Sequence, residues 1–291
     1  MKKINIFCFG FGQVAKNFIK KINTEKFSIN LSVTTREQSK AKQFNEIKYN
    51  NFIFNDEIFD NALIENLKNS DHILISIPPI NGKDIVIKYF GEVIKECNPK
   101  WITYLSATSV YGDHKGEWVN EESETNPKST SGIGRLEAEK SWITFTANSK
   151  LPFQIFRLSG IYSNQKNILA RLKSGNVNLI NKKNQFFSRI HVEDIANVLF
   201  KSLSNFKTGE IYNISDDKPA SMEEVTLYGV KLLNVDIPKI IEVKDIDSEM
   251  LKSFYKDSKK VSNKKMKSFF DYKLKFPTYV EGLNYIRNNL V

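Results

Sequence analysis

Histidine and cysteine are scarce. His72, His114 and His191, with Cys8 and Cys97, are the whole supply in 291 residues. None of them has the short spacing of a zinc or iron site, so no metal centre is expected. Two thiols this far apart make no disulfide framework, and a buried, reduced role is the expectation for both. Long apolar runs are also missing. Nothing approaches the roughly 18 residues that a membrane span needs. The opening "MKKINIFCFGFG" is broken by Asn5 and has no small-residue cleavage site, so it reads as a buried strand and not a signal peptide. No membrane contact is expected, and the expected compartment is the cytoplasm. Arginine is rare as well: Arg36, Arg135, Arg157, Arg171, Arg189 and Arg287 are six of 43 basic residues.

What is abundant is lysine and asparagine. The net charge of +10 comes from lysines spread along the chain, densest at "KKMK", 264–267. Such spreading reads as compositional bias, and no nucleic-acid partner is expected. A modest pull on phosphorylated ligands fits either view.

Apolar patterning supplies the architecture. "INIFCF" (4–9) is a buried strand signal, and "VAKNFIKKI" after it puts residues 14, 15, 18, 19 and 22 on one helical face. Further strands are predicted at 29–36, 51–54 and 71–79, within 100–112, and at 152–163. Helices are predicted across "DNALIENLKNS", "KDIVIKYFGEVIKEC" and about 132–148. This alternation predicts an α/β fold: a Rossmann-type doubly wound parallel sheet with helices on both faces. A helix at 191–203 and a strand at 209–215 rejoin it. The expected division is a dinucleotide-binding domain over 1–160 plus 188–218. A smaller, interleaved α/β lobe covers 161–187 plus 219–291.

"GFGQVA" is Gly10, Phe11, Gly12, Gln13, Val14 and Ala15. It follows a strand and opens a helix. There glycines allow a tight turn and close approach of backbone amides to a pyrophosphate, which the helix N-terminus favours. The second strand ends in Thr34, Thr35 and Arg36, with no carboxylate to take a ribose 2′-hydroxyl. Two hydroxyls and a guanidinium suit a 2′-phosphate, so NADP(H) is expected over NAD(H). Ile77 and Pro78, closing the fourth strand, complete the expected cofactor set.

Several stretches together resemble the extended short-chain dehydrogenase/reductase family, the nucleotide-sugar epimerase and dehydratase group. They are the glycine turn, "SATSVYGD" (106–113), "RLEAE" (135–139), "FRLSGIYS" (156–163), "RIHVEDIA" (189–196) and "YNISDD" (212–217). The closing 259–283 is similar to one atypical branch. The resemblance implies a Rossmann domain, a small substrate lobe, and a substrate that is a sugar nucleotide or another polar carbonyl or polyol. It also implies a Ser or Thr after the fifth strand and a Tyr-x-x-x-Lys on the next helix, where the tyrosine moves a proton as hydride moves on the nicotinamide. In this chain Ser131 stands at the tyrosine position, Arg135 at the lysine position, and Ala107 between Ser106 and Thr108 at the serine position. Residues 120–150 contain no tyrosine. A serine hydroxyl is too weak an acid to replace a phenol, and Arg135 stays protonated, so it can bind ribose or phosphate but relay nothing.

Substitute proton carriers are Tyr111, read mainly as packing, and His114 beside Asp113, which competes with a solvated loop pair. Tyr162, Arg157 and Arg189 are the ligand-directed candidates. For the two arginines a structural ion pair is the equal alternative, and His191 and Asp194 read as locking residues. Three functions remain in competition. One is an NADP(H)-dependent oxidoreductase or epimerase-like enzyme with a rearranged acid/base set. Another is a catalytically silent NADP(H)-binding sensor or scaffold. A third, an enzyme of β-hydroxyacid dehydrogenase type, is disfavoured by the mixed C-terminal lobe. A monomer or homodimer is expected.

Overall fold

The computed structural model describes residues 3–37, 43–182 and 184–289. The chain forms two compact units, one of Met1–Ala107, Thr130–Arg157 and Ile195–Tyr212, the other of Thr108–Ser129, Leu158–Asp194 and Asn213–Val291.

From the N-terminus the elements are β1 (Lys3–Phe9), α1 (Gln13–Thr24), β2 (Ser28–Thr35), β3 (Gln43–Phe44), β4 (Ile47–Ile53), α2 (Ala62–Lys68), β5 (His72–Ile75), α3 (Ile85–Cys97) and β6 (Trp101–Ala107). Next come β7 (Trp118–Val119), α4 (Thr130–Ser149), β8 (Phe153–Leu158), β9 (Gly160–Tyr162), α5 (Ile168–Lys173), β10 (Leu179–Asn181), β11 (Arg189–His191), α6 (Val192–Ser202) and β12 (Ile211–Ile214). The chain closes with α7 (Met222–Leu233), β13 (Ile240–Glu242), α8 (Glu249–Lys256), β14 (Lys260–Val261), α9 (Lys264–Phe269) and α10 (Tyr279–Asn288).

The main sheet runs β12-β8-β6-β5-β1-β2-β4-β3. Its central pairs, β1 with β2 and β5, β2 with β4, and β5 with β6, are parallel. The fold is therefore the expected Rossmann-type α/β architecture. From β1 the chain winds one way to β4, then returns to β5 and winds the other way. The strand order reverses at β1/β5, and the carboxyl ends of those strands form the crevice where such sheets take ligands.

Sequence explains the elements around this point. The expected face of α1 is buried through Val14, Ala15, Phe18, Ile19 and Ile22. Phe18 stacks on Trp101 with ring centroids 6.0 Å apart. On the opposite sheet face Phe7, Phe9, Ile75, Phe90, Tyr104 and Trp142 share one core. The Asp84 carboxylate starts α3 by accepting the Val86 and Ile87 amides at 2.9 and 3.0 Å, satisfying two donors that a helix N-terminus leaves open.

Two expectations need correction. The strand predicted over 152–163 is two strands. β8 belongs to the main sheet, whereas β9 pairs in parallel with β11, Gly160 facing Arg189. The change falls at Ser159, whose amide donates to Ile214 O at 3.0 Å; the next amide, Gly160, donates to Ser188 O at 3.0 Å. An apolar run that stays buried on both sides of the break carries no mark of it. The strand expected at 51–54 is longer, Ile47–Ile53, and makes an antiparallel hairpin with β3. Its alternate residues are polar and exposed, so its first half lacks an apolar signal.

In the second unit α5, α7 and α10 pack around Leu169, Val225 and Leu283. Asp194 is fully buried and ties down the closing segment. It accepts the Tyr272 hydroxyl at 2.6 Å, the Lys275 amide at 2.7 Å and the Phe276 amide at 3.1 Å.

Candidate cofactor turn and proton-transfer residues

The turn between β1 and α1 is built as a backbone cradle. Gly10 has φ +88°, a conformation that costs a side-chain-bearing residue about 1–2 kcal/mol. A Cβ there would meet Ile77 Cγ2 at 2.7 Å and Ser76 Oγ at 2.9 Å. Its amide donates to Thr34 Oγ1 at 2.8 Å, and the Ser76 hydroxyl donates to Phe9 O and Gly10 O at 3.1 and 2.9 Å. Gly12 is the opposite case. Nothing lies within 4 Å of where its Cβ would stand. It caps α1 without a side-chain bond, so the first amides of the helix are offered to whatever fills that space. Gly10→Ala is expected to cost about 2 kcal/mol of stability from φ and crowding together. Thermal unfolding checks it, and an unchanged midpoint would mean the turn can shift without strain.

The other members of the expected cofactor set divide. Thr34 is 1% exposed and its hydroxyl serves the turn. The Thr35 hydroxyl donates to Glu37 O at 2.7 Å. The Arg36 side chain is exposed beyond β2. Phe11 packs its ring on Phe44 and Tyr49, centroids 5.6 and 5.2 Å away. Ser76 is the residue sequence reasoning missed. Its signal was a lone hydroxyl inside "ILISIPP", ahead of the prolines.

On the far side of β5 from this turn, Ser106 stands one residue before the end of β6; it is 2% exposed with no hydrogen-bond partner for its Oγ. Ser131 lies exposed in the first turn of α4. One turn on, Arg135 Nη1 donates to Leu105 O at 2.8 Å, tying α4 to the end of β6. That contact commits one side of the guanidinium to the protein backbone. Gly134 lets α4 approach the loop after β5, since a Cβ there would stand 3.2 Å from Gly82 Cα.

Arg157, expected near the substrate entrance, takes its ion-pair alternative. It is 4% exposed, and its Nε and Nη2 grip Glu139 with a shortest contact of 2.7 Å. Glu139 was visible only as part of "RLEAE"; nothing in the sequence joins it to residue 157.

The remaining candidates lie in the second unit. Tyr111 is fully buried and donates to Asn213 Oδ1 at 2.7 Å, which supports its packing role. Thr108 begins the short 3-10 turn that carries it. His114 Nε2 stands 3.2 Å from both Tyr111 O and Glu124 O. Asp113 accepts the Lys115 and Ser258 amides at 3.0 and 2.8 Å. The pair staples loops and is not arranged as an acid–base dyad. Tyr162 is 7% exposed, its hydroxyl has no partner, and it lies where a Cβ on Gly282 would come within 2.0 Å. Arg189 is 8% exposed and donates to Phe187 O and Ala220 O, both at 2.8 Å. Burial and packing hold both polar ends inside the unit. Among the described residues no three His, Cys, Asp or Glu side chains could hold a metal ion, and no helix is long and apolar enough to cross a membrane.

Known proteins give this geometry a context. No curated protein matches the sequence. The model of the NAD dependent epimerase/dehydratase family matches residues 89–215. A functionally unknown conserved protein from Silicibacter pomeroyi is 30% identical, with 99% of each chain covered and a TM-score of 0.88. The dTDP-glucose 4,6-dehydratase of Bacillus anthracis, solved with NAD, is 18% identical over 98% of this chain and 96% of its own, TM-score 0.79. UDP-glucuronic acid 4-epimerase from Bacillus cereus, also solved with NAD, is 15% identical over the full length of both, TM-score 0.76. Shared length and shared fold agree with the glycine turn and the β6–α4 pairing, and residues 89–215 of this chain match the NAD dependent epimerase/dehydratase family model.

Proposed function

We propose that this protein is a nicotinamide-dinucleotide-dependent oxidoreductase of the nucleotide-sugar epimerase/dehydratase type, with an altered proton-transfer set. The first unit holds the cofactor and the second supplies the substrate lobe. The observation that carries the reading is the paired glycine turn, Gly10 at positive φ and braced from behind, Gly12 open in front. A dinucleotide fits this cradle. Its pyrophosphate would take the space before Gly12 and the amides that begin α1. When bound, the nicotinamide supplies hydride transfer to or from a carbinol or carbonyl carbon. The chain's own residues brace the turn through Thr34 and Ser76, present the buried Ser106 hydroxyl at the end of β6, and hold that strand end through Arg135. The substrate class follows the family and its NAD-bound relatives: a nucleotide sugar or a similar polyol or carbonyl.

The finer reading is a preference for NADP(H). It rests on Arg36, exposed just beyond the end of β2 with no carboxylate ending that strand. Arg36→Glu is expected to weaken NADPH binding about tenfold or more, the loss of one charge-assisted contact plus a repulsion, and NADH binding much less. Fluorescence titration of the purified protein with both dinucleotides tests both levels. Equal effects on both would remove Arg36 from the site, and binding of neither by the unmodified protein would end the oxidoreductase reading.

A second reading is a silent NADP(H)-binding sensor or scaffold. It is favoured by the absence of any tyrosine in 120–150 and by the bond that commits Arg135 to Leu105 O. It expects tight dinucleotide binding and no oxidation of bound NADPH by any sugar nucleotide or carbonyl compound.

A further inference from the structure

A groove of about 950 Å³ opens in the first unit at the amino ends of β1, β2 and β4, the far end of the sheet from the glycine turn. Its wall is asparagine: Asn5, Asn30 and Asn50 from the sheet, Asn66 and Asn69 from α2 and its C-terminus. A sheet face under a helix is ordinarily apolar. α2 does bury Leu63 and Leu67, yet beside them the facing positions are amides. The pairing register makes this a row, with Asn5 opposite Asn30 and Ser32 opposite Asn50.

The amides are ordered by one another. Asn30 Nδ2 donates to Asn5 Oδ1 at 2.8 Å, and Asn5 Nδ2 donates to Asp71 Oδ2 at 2.9 Å. Asn50 Nδ2 and Ser32 Oγ both donate to Asn66 Oδ1, at 3.0 and 3.2 Å. Asn30 and Asn50 are exposed, and each gives one N–H to this chain. A planar amide then keeps a carbonyl oxygen and a second N–H, the donor–acceptor edge that neighbouring hydroxyls match.

What surrounds the edges narrows the ligand. Lys48 and Glu65 on the rim carry opposite charges, so no net charge selects a phosphate. The Tyr49 ring packs on Phe11, centroids 5.2 Å apart. We propose that this groove binds a neutral saccharide or polyol, held by the fixed amide edges of Asn30 and Asn50. The site is independent of the dinucleotide and of the reaction proposed above.

The test is an NMR titration of isotope-labelled full-length protein with maltose, sucrose and myo-inositol, following the side-chain amide signals of Asn30, Asn50 and Asn66. Saturable shifts confined to these groups and the starts of β2 and β4 are expected with at least one probe. Asn50→Val and Asn30→Val keep strand-compatible side chains and should each weaken that binding about tenfold, one hydrogen-bonded edge. Glu65→Gln should leave it unchanged. NADPH titration should be the same in all three variants. No saturable shift with any probe overturns the proposal. A large loss in Glu65→Gln, or equal binding in the valine variants, overturns the neutral amide-edge site.

Discussion

Glu139→Ala is expected to lower the unfolding free energy by about 3–5 kcal/mol, among the largest effects of any single substitution in this chain. Glu139 and Arg157 are 1% and 4% exposed. The guanidinium meets the carboxylate through two nitrogens, with contacts of 2.7 to 3.2 Å. Removing the carboxylate leaves a guanidinium, charged at any usable pH, inside the protein beneath α4. The buried charge left without its carboxylate, and not the intrinsic strength of the pair, makes the loss large. A second result is expected. Glu139→Leu combined with Arg157→Met removes both charges and should recover most of the stability, since apolar replacements of buried pairs are often neutral or better. Urea denaturation of the two single variants and the double variant measures the coupling. A single-variant cost below about 1 kcal/mol, as for surface pairs, would mean that water reaches Arg157.

The same pair shows what the sequence could and could not display. Periodicity placed α1, α3 and the central strands because burial on one face leaves a repeating apolar trace. The glycine turn was legible because its backbone demands glycine at fixed offsets from a strand and a helix. The partners of polar residues were not legible. Nothing links Arg157 to Glu139, or Arg135 to Leu105 O, because such contacts are set by how α4 lies on β6 and β8. Arg157, Arg189 and Tyr162 all carry groups that can bind ligands. Their burial is decided by the whole fold. The break at Ser159 was hidden for a related reason: apolar residues continue across it while the hydrogen-bond partner changes from β12 to Ser188. Thr34 is the milder case. Its position beside the cofactor end was legible, whereas the direction of its hydroxyl, toward the Gly10 amide, was not.

Acidification should expose a second large effect, centred on His191. The ring is 1% exposed and packed edge-on against Phe276 and Tyr162, centroids 4.2 and 5.0 Å away. Its Nδ1 accepts the Glu193 amide at 3.3 Å, and Nε2 has no partner. Burial pushes the imidazole pKa from 6.5 down to about 4, with Glu193 opposing and Lys275 adding to the shift. The unfolded chain therefore takes up this proton near pH 6.5, whereas the folded protein resists until about pH 4. The unfolded state binds more protons across that window, so stability falls as pH falls through it. The contribution is fully present above pH 6.5 and is lost progressively toward pH 4, about 3 kcal/mol at the limit. Asp216 works in the opposite sense. Burial holds its carboxyl pKa well above the ordinary value, so its contribution grows as pH falls. The comparison that isolates the histidine is the unmodified protein against His191→Phe, in which Asp216 and the other carboxylates cancel. Urea unfolding at neutral pH and near pH 4.5 should show the phenylalanine variant gaining about 2–3 kcal/mol relative to the parent on acidification. Parallel pH profiles for the two proteins would mean that His191 takes its proton in the folded state as readily as in the unfolded chain, and that the aromatic cage opens to water.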